Sequence, residues 1–202
     1  MKAWLYDWGG LNTALFHVIN AHHWQWLDRL MLALTWAGDH DRFPAYLAIG
    51  ALVCWWRFTQ APASPAARTW TLALVIFSVA YFLDGLLVVG LKSALDLPRP
   101  SAVFSPDSMV VVGTAEFKHS FPSGHASFAA LLGAVLWPTT RRALLRLALV
   151  IFVVGVCLSR PYLGFHFPAD VLLGSIFSLL LVMAVHAALM QLNRRQRDRL
   201  RL

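Results

Sequence analysis

Long apolar stretches separated by short polar clusters run along most of the chain, a pattern typical of helices that cross a membrane. A helix that spans a bilayer needs about 20 apolar residues, within a range of roughly 17–25. Five stretches approach or reach that length, namely 43–58, 69–91, 123–138, 143–158 and 167–192. Because exposed loops and open sheet edges cannot lie in hydrocarbon, helices are the predicted structure for all five.

A sixth and weaker apolar segment covers residues 24–38 and contains the charged pair Asp28 and Arg29. It is preceded by a possible amphipathic helix over residues 11–21. We interpret the sixth segment as a short span and the preceding one as a helix at the membrane interface. The sequence therefore predicts an all-α, integral membrane bundle of six helices with an N-terminal interfacial helix, forming a single membrane-embedded domain over residues 1–202.

The composition supports a membrane protein, since 58% of the residues are hydrophobic and only 13% are charged. Soluble domains carry about 25% charged residues. The net charge of +7 does not indicate nucleic-acid binding, because many of the arginines that contribute to it cluster beside the apolar segments. Six spans would place both termini on one side, together with ten arginines, against five cations on the opposite side. The positive-inside rule then predicts cytoplasmic termini, with the loop 92–122 and the turn 159–166 facing outward.

Three polar clusters interrupt the apolar sequence on the predicted outer side, at 92–100 (KSALDLPRP), 121–125 (FPSGH) and 159–170 (SRPYLGFHFPAD). Together they supply three cations suited to phosphate, Lys92, Arg99 and Arg160. Ser123 and Gly124 fall at a predicted helix N-terminus, where free backbone N–H groups and the helix dipole attract anions. The clusters predict a phosphate-binding site.

Two histidines add reactive groups to this predicted site. His166 and Asp170 are four residues apart and therefore share one face of a helix. A carboxylate that accepts a hydrogen bond from one imidazole nitrogen fixes the tautomer and leaves the other nitrogen free to act as a nucleophile. His125 follows the phosphate cradle directly and could give a proton to a leaving oxygen.

The three clusters resemble, in order and in spacing, the three motifs of the type 2 phosphatidic acid phosphatase family: "K-x6-RP" at 92–100, "PSGH" at 122–125 and "SR-x5-H-x3-D" at 159–170. That family shares its site with vanadium haloperoxidases. The resemblance implies that His166 attacks phosphorus and forms a phosphohistidine, that Asp170 orients it and that His125 protonates the leaving group. It also implies that no metal or cofactor is needed and that the phosphoryl oxygens are held by Lys92, Arg99, Ser123, Gly124 and Arg160. Ser101 departs from the family pattern, where many relatives have arginine.

The resemblance implies an integral membrane lipid phosphatase, and the small form without an added domain is similar to the bacterial undecaprenyl diphosphate phosphatases. We therefore expect conversion of undecaprenyl diphosphate to undecaprenyl phosphate at a bacterial inner membrane, with the active site facing the periplasm. Phosphatidic acid, phosphatidylglycerol phosphate and lipid A 1-phosphate remain open as substrates. Phosphoryl transfer to another lipid and non-enzymatic lipid transport are the alternative functions, and the sequence leaves the oligomeric state open.

Other polar residues receive structural interpretations. Asp84 lies within the longest apolar segment, where we expect mainly a hydrogen-bonding role. Asp39, His40 and Asp41 are interpreted as a solvated outer turn. His119 adjoins the predicted cradle.

Overall fold

The computed structural model describes residues 6–199, which form helices and contain no strand. The α-helices are α1 (Leu11–Asn20), α2 (Gln25–Ala37), α3 (Phe43–Gln60), α4 (Pro65–Leu95), α5 (Pro100–Val103), α6 (Gly124–Leu136), α7 (Ala143–Tyr162) and α8 (Pro168–Arg199). Short 3-10 turns cover Trp8–Gly10, His40–Arg42, Pro106–Ser108 and Trp137–Thr139. The prediction of an all-α fold is confirmed.

Three helical segments are long and apolar enough to cross a membrane, namely Pro65–Val103, Ala143–Tyr162 and Pro168–Arg199. The predicted span 123–138 instead forms the 13-residue helix α6, whose length of about 20 Å is shorter than a bilayer core. The predicted span 24–38 forms α2, which also has only 13 residues. The structure therefore does not confirm six full-length spans.

Helices α2 and α3 together cross the bundle once from end to end, and we call one such crossing a passage. The start of α2 lies at the C-terminal end of α7, because the Tyr162 hydroxyl donates to Asp28 over 2.7 Å. Farther along α2, Gly38 packs so tightly against Val156 that an added Cβ would lie 2.5 Å from the valine Cγ1. Since Val156 precedes Tyr162 on α7, α2 descends from that end towards the middle of the bundle.

Helix α3 continues the passage that α2 begins. Its first residue, Phe43, stacks on Tyr81 near the middle of α4, with ring centroids 3.7 Å apart. Near its other end, Trp56 lines the same cavity as Trp70 in the second turn of α4. Helix α3 therefore runs from the middle of the bundle to the end where α4 begins.

This shared passage changes the predicted topology. The Tyr6 hydroxyl donates a hydrogen bond to Asp170 in the first turn of α8, whereas Arg199 lies at the other end of that 32-residue helix. The first and last described residues are therefore at opposite ends of the bundle, so residues 6–199 do not confirm the prediction that both termini share one side. The physical reason is that 24–38 and 43–58 do not each cross the bundle, and residues 6–199 make five passages: α2 with α3, then α4, α6, α7 and α8.

Helix α1 crosses the end of the bundle where α7 stops and α8 starts. Its Asn12 side chain accepts a hydrogen bond from the Ala169 backbone N–H over 2.9 Å, and its Asn20 side chain donates to the Tyr162 carbonyl over 2.8 Å. The opposite side of α1 exposes Leu11 and Val18, the latter by 71%. A helix bonded on one side and apolar on the other fits the predicted interfacial role.

The short helix α6 forms the centre of the bundle and packs against α4, α7 and α8. Asp84 of α4 accepts hydrogen bonds from Ser127 of α6, at 2.7 Å and 2.8 Å, and from Ser178 of α8, at 2.5 Å. This buried cluster joins three helices, in agreement with the structural role expected for Asp84. Helix α8 can approach the start of α6 because residue 174 is glycine, where a Cβ would lie 2.9 Å from the Ser123 carbonyl oxygen.

Candidate active site

The three polar clusters of the sequence meet at the end of the bundle that α1 covers. At their centre is His166, which is 2% exposed and lies in the turn between α7 and α8. Its Nδ1 lies 3.4 Å from Asp170 Oδ2, and its Nε2 lies 3.3 Å from Arg99 Nη1. The structure therefore brings together residues from the first and third clusters, and it places a carboxylate and a guanidinium on opposite sides of the imidazole ring.

The Asp170 carboxylate is fixed by several donors besides His166. Its Oδ2 accepts hydrogen bonds from the Ser120 hydroxyl over 2.5 Å and from the Phe167 backbone N–H over 2.9 Å. Its Oδ1 accepts from the Tyr6 hydroxyl. A buried carboxylate with this number of donors holds a single orientation, so Asp170 presents a fixed acceptor to the His166 ring.

Burial, followed by the positive charges of Arg160, Arg99 and Lys92, lowers the pKa of His166 well below its usual range. The imidazole is therefore neutral near pH 7, which is the protonation state that a nucleophile requires. Because Asp170 can only accept, we assign the proton to Nδ1, and the Nε2 lone pair then points away from Asp170.

The second cluster supplies the N-terminus of α6. Ser123 is the N-cap residue, and its backbone N–H donates to the Asp170 carbonyl over 3.1 Å. Its hydroxyl is buried and has no hydrogen-bond partner among residues 6–199. At Gly124 an added Cβ would meet the His40 ring at 3.6 Å, an ordinary contact distance, so packing does not require glycine there. An unpaired hydroxyl beside a free helix N-terminus fits an anionic ligand.

Arg160 and Lys92 have few polar contacts of their own. One Arg160 nitrogen donates to the Thr35 hydroxyl, and the guanidinium lies over the Phe165 ring, 4.6 Å from its centroid. The Arg160 Nε is buried and has no hydrogen-bond partner within the described residues. Lys92 Nζ donates to the His119 carbonyl over 3.0 Å. Both cations therefore keep donors that a ligand could use.

Arg99 is more completely engaged. Its Nε donates to the Lys118 carbonyl over 2.9 Å and its Nη1 to the Phe165 carbonyl over 3.1 Å. Its Nη2 forms an ion pair with Glu116 Oε2 at 2.7 Å. Two backbone carbonyls therefore fix the plane of the guanidinium, and a carboxylate from the loop before α6 occupies its third nitrogen.

His125, in the first turn of α6, faces the turn that precedes α3. Its Nε2 lies 3.7 Å from Asp39 Oδ2. The next residue, His40, has its Nε2 3.5 Å from the fully buried Asp84 Oδ2. The interpretation of residues 39–41 as a solvated outer turn is therefore wrong for His40, which reaches the buried Asp84. Asp39 keeps 34% of its side chain exposed and lies beside the site.

A profile of the PAP2 superfamily matches residues 73–194, which include all three polar clusters. The chain belongs to this superfamily. The family that the motifs predicted is therefore confirmed.

Individual PAP2 relatives agree with this assignment. A decaprenylphosphoryl-5-phosphoribose phosphatase from Mycolicibacterium smegmatis is 34% identical over 70% of this chain and 68% of its own length. An undecaprenyl-diphosphatase from Sulfolobus acidocaldarius is 28% identical over 86% of this chain and 78% of its own length. The phosphatidylglycerophosphatase B of Escherichia coli is 42% identical, but over only 31% of this chain and 26% of that protein. The chain thus matches about a quarter of the length of that relative.

The PAP2 fold is also found among solved structures. The crystal structure of LpxE from Aquifex aeolicus superposes with a TM-score of 0.70 at 22% identity, over 87% of this chain and 94% of that one. At this identity, the similarity establishes the fold.

The structure of this PAP2 chain adds polar residues that the sequence did not assign to the site. Tyr6 and Ser120 donate to Asp170, Asp39 faces His125, and Glu116 pairs with Arg99. Ser120 directly precedes the second cluster, and that adjacency could have suggested it. Tyr6 lies 164 residues before its partner, and no motif or spacing connects them.

Proposed function

We propose that this protein is an integral membrane lipid phosphatase that works through a phosphohistidine and converts undecaprenyl diphosphate to undecaprenyl phosphate. The observation that carries the proposal is the placement of His166, a buried neutral imidazole held between Asp170 and Arg99. Membership in the PAP2 superfamily supports the same chemistry.

In the proposed first half-reaction, Nε2 of His166 attacks the terminal phosphorus. The bond between phosphorus and the bridging oxygen breaks, and His125, which takes up a proton when the anionic diphosphate binds, gives that proton to the bridging oxygen. The phosphorylated ring carries a positive charge, which the Asp170 carboxylate stabilises through the Nδ1 proton. In the second half-reaction, His125 takes a proton from water, the resulting hydroxide attacks phosphorus, and phosphate leaves with Nε2 restored.

We propose that the phosphoryl oxygens are held by a cationic cradle, consisting of Lys92, Arg99, Arg160, the Ser123 hydroxyl and the backbone N–H of Gly124. The buried, unpartnered Ser123 Oγ and Arg160 Nε support this assignment. Charge that develops on the phosphoryl group would meet three cations and a helix N-terminus, and such preorganised donors stabilise a transition state strongly. The proposed mechanism uses no metal ion and no cofactor.

The substrate proposal rests on the relatives whose names specify polyprenyl lipids. One is an undecaprenyl-diphosphatase and another acts on a decaprenylphosphoryl sugar phosphate. Phosphatidylglycerol phosphate is the second candidate, because several relatives are phosphatidylglycerophosphatases. Phosphatidic acid and lipid A 1-phosphate remain further alternatives.

The function is tested by a lipid panel assayed with the purified full-length protein in detergent containing EDTA. We expect release of inorganic phosphate, fastest from undecaprenyl diphosphate, with an equal amount of undecaprenyl phosphate formed. Faster release from phosphatidylglycerol phosphate would replace the proposed substrate, and dependence on an added divalent cation would contradict the metal-free mechanism. Loss of lipid phosphate without free phosphate would indicate a transferase, and no turnover of any lipid would favour a transport role.

We also propose that the protein lies in the inner membrane of a bacterium with the active site facing the periplasm. Nine arginines support this orientation, since all of them belong to the end of the bundle opposite His166: Arg57, Arg68, Arg141, Arg142, Arg146, Arg194, Arg195, Arg197 and Arg199. By the positive-inside rule, that end faces the cytoplasm. The C-terminal part of α8 is then cytoplasmic, and the described N-terminal residues are on the periplasmic side.

Cysteine labelling checks this orientation in a background where Cys54 and Cys157 are replaced by alanine. Asp107→Cys, in the loop before α6, should react with a membrane-impermeant maleimide in cells whose outer membrane is permeabilised. Arg195→Cys, in the C-terminal part of α8, should react only after the inner membrane is broken. The reverse pattern would invert the proposed topology.

A further inference from the structure

A cavity at the end of the bundle opposite His166 is lined by arginines and tryptophans from two helices and from one connection between helices. Its walls come from the end of α3, the start of α4, and the connection from α6 into α7. We call it the arginine groove and define it by its six most characteristic residues, Trp56, Arg57, Trp70, Thr140, Arg141 and Arg142. It shares no residue with the proposed active site.

The positive charge of the arginine groove is not balanced by the protein. None of its lining residues is acidic, and none of its three arginines has an ion-pair partner within residues 6–199. Arg57 lies against the Trp56 ring, 4.7 Å from the centroid, and its Nε is buried without a hydrogen-bond partner in the described part of the chain. Arginines that only mark topology extend into water, whereas Arg57 is half-buried in the groove wall.

The start of α7 adds a second source of positive potential. Its N-cap residue is Arg142, whose side chain makes no capping hydrogen bond. The Thr140 hydroxyl accepts from the Arg142 backbone N–H over 3.2 Å, which turns the chain into the helix. The first backbone N–H groups of this 20-residue helix therefore lack a side-chain acceptor, and such a terminus attracts anions.

The remaining walls of the groove are apolar. Leu136, Leu145 and Leu149 line it together with the two tryptophans. Tryptophan rings concentrate at the boundary between headgroups and acyl chains, and basic pockets between membrane helices bind anionic lipid headgroups. A ligand that fits this groove therefore carries a phosphate group joined to an apolar chain.

We propose that the arginine groove binds the phosphate group of an anionic phospholipid in the leaflet opposite the active site. Arg57, Arg141 and Arg142 contact the phosphate, and the leucines contact the first part of the acyl chains. Charge complementarity selects an anionic lipid over a zwitterionic one, and the apolar wall selects a lipid over free phosphate. This site is independent of the proposed phosphatase reaction.

The test measures binding of phosphatidylglycerol to the full-length protein in a neutral detergent, by native mass spectrometry and by thermal unfolding. Saturating phosphatidylglycerol should raise Tm by roughly 3–8 °C, the scale expected when a ligand stabilises a domain of this size. The double variant Arg57→Gln/Arg142→Gln should weaken the apparent Kd at least 10-fold. The double variant Arg194→Gln/Arg195→Gln removes the same charge from the exposed part of α8 and should bind like the unaltered protein.

Three outcomes would overturn the proposal: equal weakening in both double variants, equal binding of phosphatidylcholine, or the same Tm shift with inorganic phosphate alone. If the double variant does not fold, the Kd is measured for the single variant Arg142→Gln, which changes an exposed residue. In that variant a measurably weaker Kd supports the proposal, and an unchanged Kd contradicts it.

Discussion

Replacing His166 by alanine should abolish phosphate release. We expect kcat/KM for the preferred lipid to fall on the order of 10⁴-fold or more, the scale seen when a catalytic nucleophile is removed. The physical reason is that, in the proposed mechanism, Nε2 of His166 is the one protein group that forms a bond to phosphorus. Because the ring fills a buried position, thermal unfolding should be measured alongside, so that lost activity is separated from lost folding.

The covalent intermediate gives a second readout of the same change. Rapidly quenched unaltered protein should carry label from a phosphate-labelled substrate in a form stable to alkali and labile to acid, as expected for phosphohistidine. His166→Ala should carry none. His186→Ala, which alters an exposed histidine farther along α8, is the matched control and should keep both activity and label. A phosphoprotein that persists in His166→Ala would assign the nucleophile to another residue.

Asp170→Asn is expected to have the second largest effect, a loss of roughly 10²–10⁴-fold in kcat. Phe167 N–H can only donate, so the amide oxygen of the asparagine must take the Oδ2 position, and its NH₂ then faces the Tyr6 hydroxyl, which can accept. The His166 tautomer is therefore preserved while the negative charge is lost. The variant isolates the electrostatic stabilisation of the phosphorylated ring.

The comparison with Asp170→Ala separates charge from orientation. Alanine removes both the charge and the acceptor, so its kcat should lie below that of the asparagine variant. The chain offers a matched control in Asp28, whose Oδ1 accepts from Tyr162 and lies 2.8 Å from His23 Nδ1, a similar set of partners outside the site. Asp28→Asn should retain most activity. Equal activity of Asp170→Asn and the unaltered protein would contradict the proposed role of the carboxylate.

The candidate site could be predicted because its residues are close in sequence within each cluster. The spacing of His166 and Asp170 places them within one helical turn of each other. The clusters come together because α4 and α7 end, and α6 and α8 begin, at the same end of the bundle. The arrangement of α2 and α3 could not be predicted in the same way. The pattern of apolar residues indicates that a segment avoids water. It does not indicate whether two such segments each cross the bundle or share one passage.

The turn at Asp39 and His40 shows the consequence of this limitation. Polar residues between two apolar segments normally indicate a solvated loop. Here their partners are His125 on α6 and Asp84 on α4, both far away in sequence. Tyr6 was missed for the same reason, since its hydrogen bond to Asp170 depends on how α1 lies across the bundle.

The ion pair between Arg99 and Glu116 places a carboxylate on a nitrogen that the proposed phosphate-binding site would also use. Arg99 has five N–H donors, and four of them contact the Lys118 and Phe165 carbonyls, His166 Nε2 and Glu116. One Nη2–H is left within the described residues, and in the proposed site a phosphoryl group shares Nη2 with the Glu116 carboxylate. A phosphoryl group bound there would compete with Glu116 for this nitrogen, while the two backbone carbonyls hold the guanidinium in place. The Glu116 carboxylate also competes with product phosphate for Nη2 of Arg99, and this competition would favour release of the product.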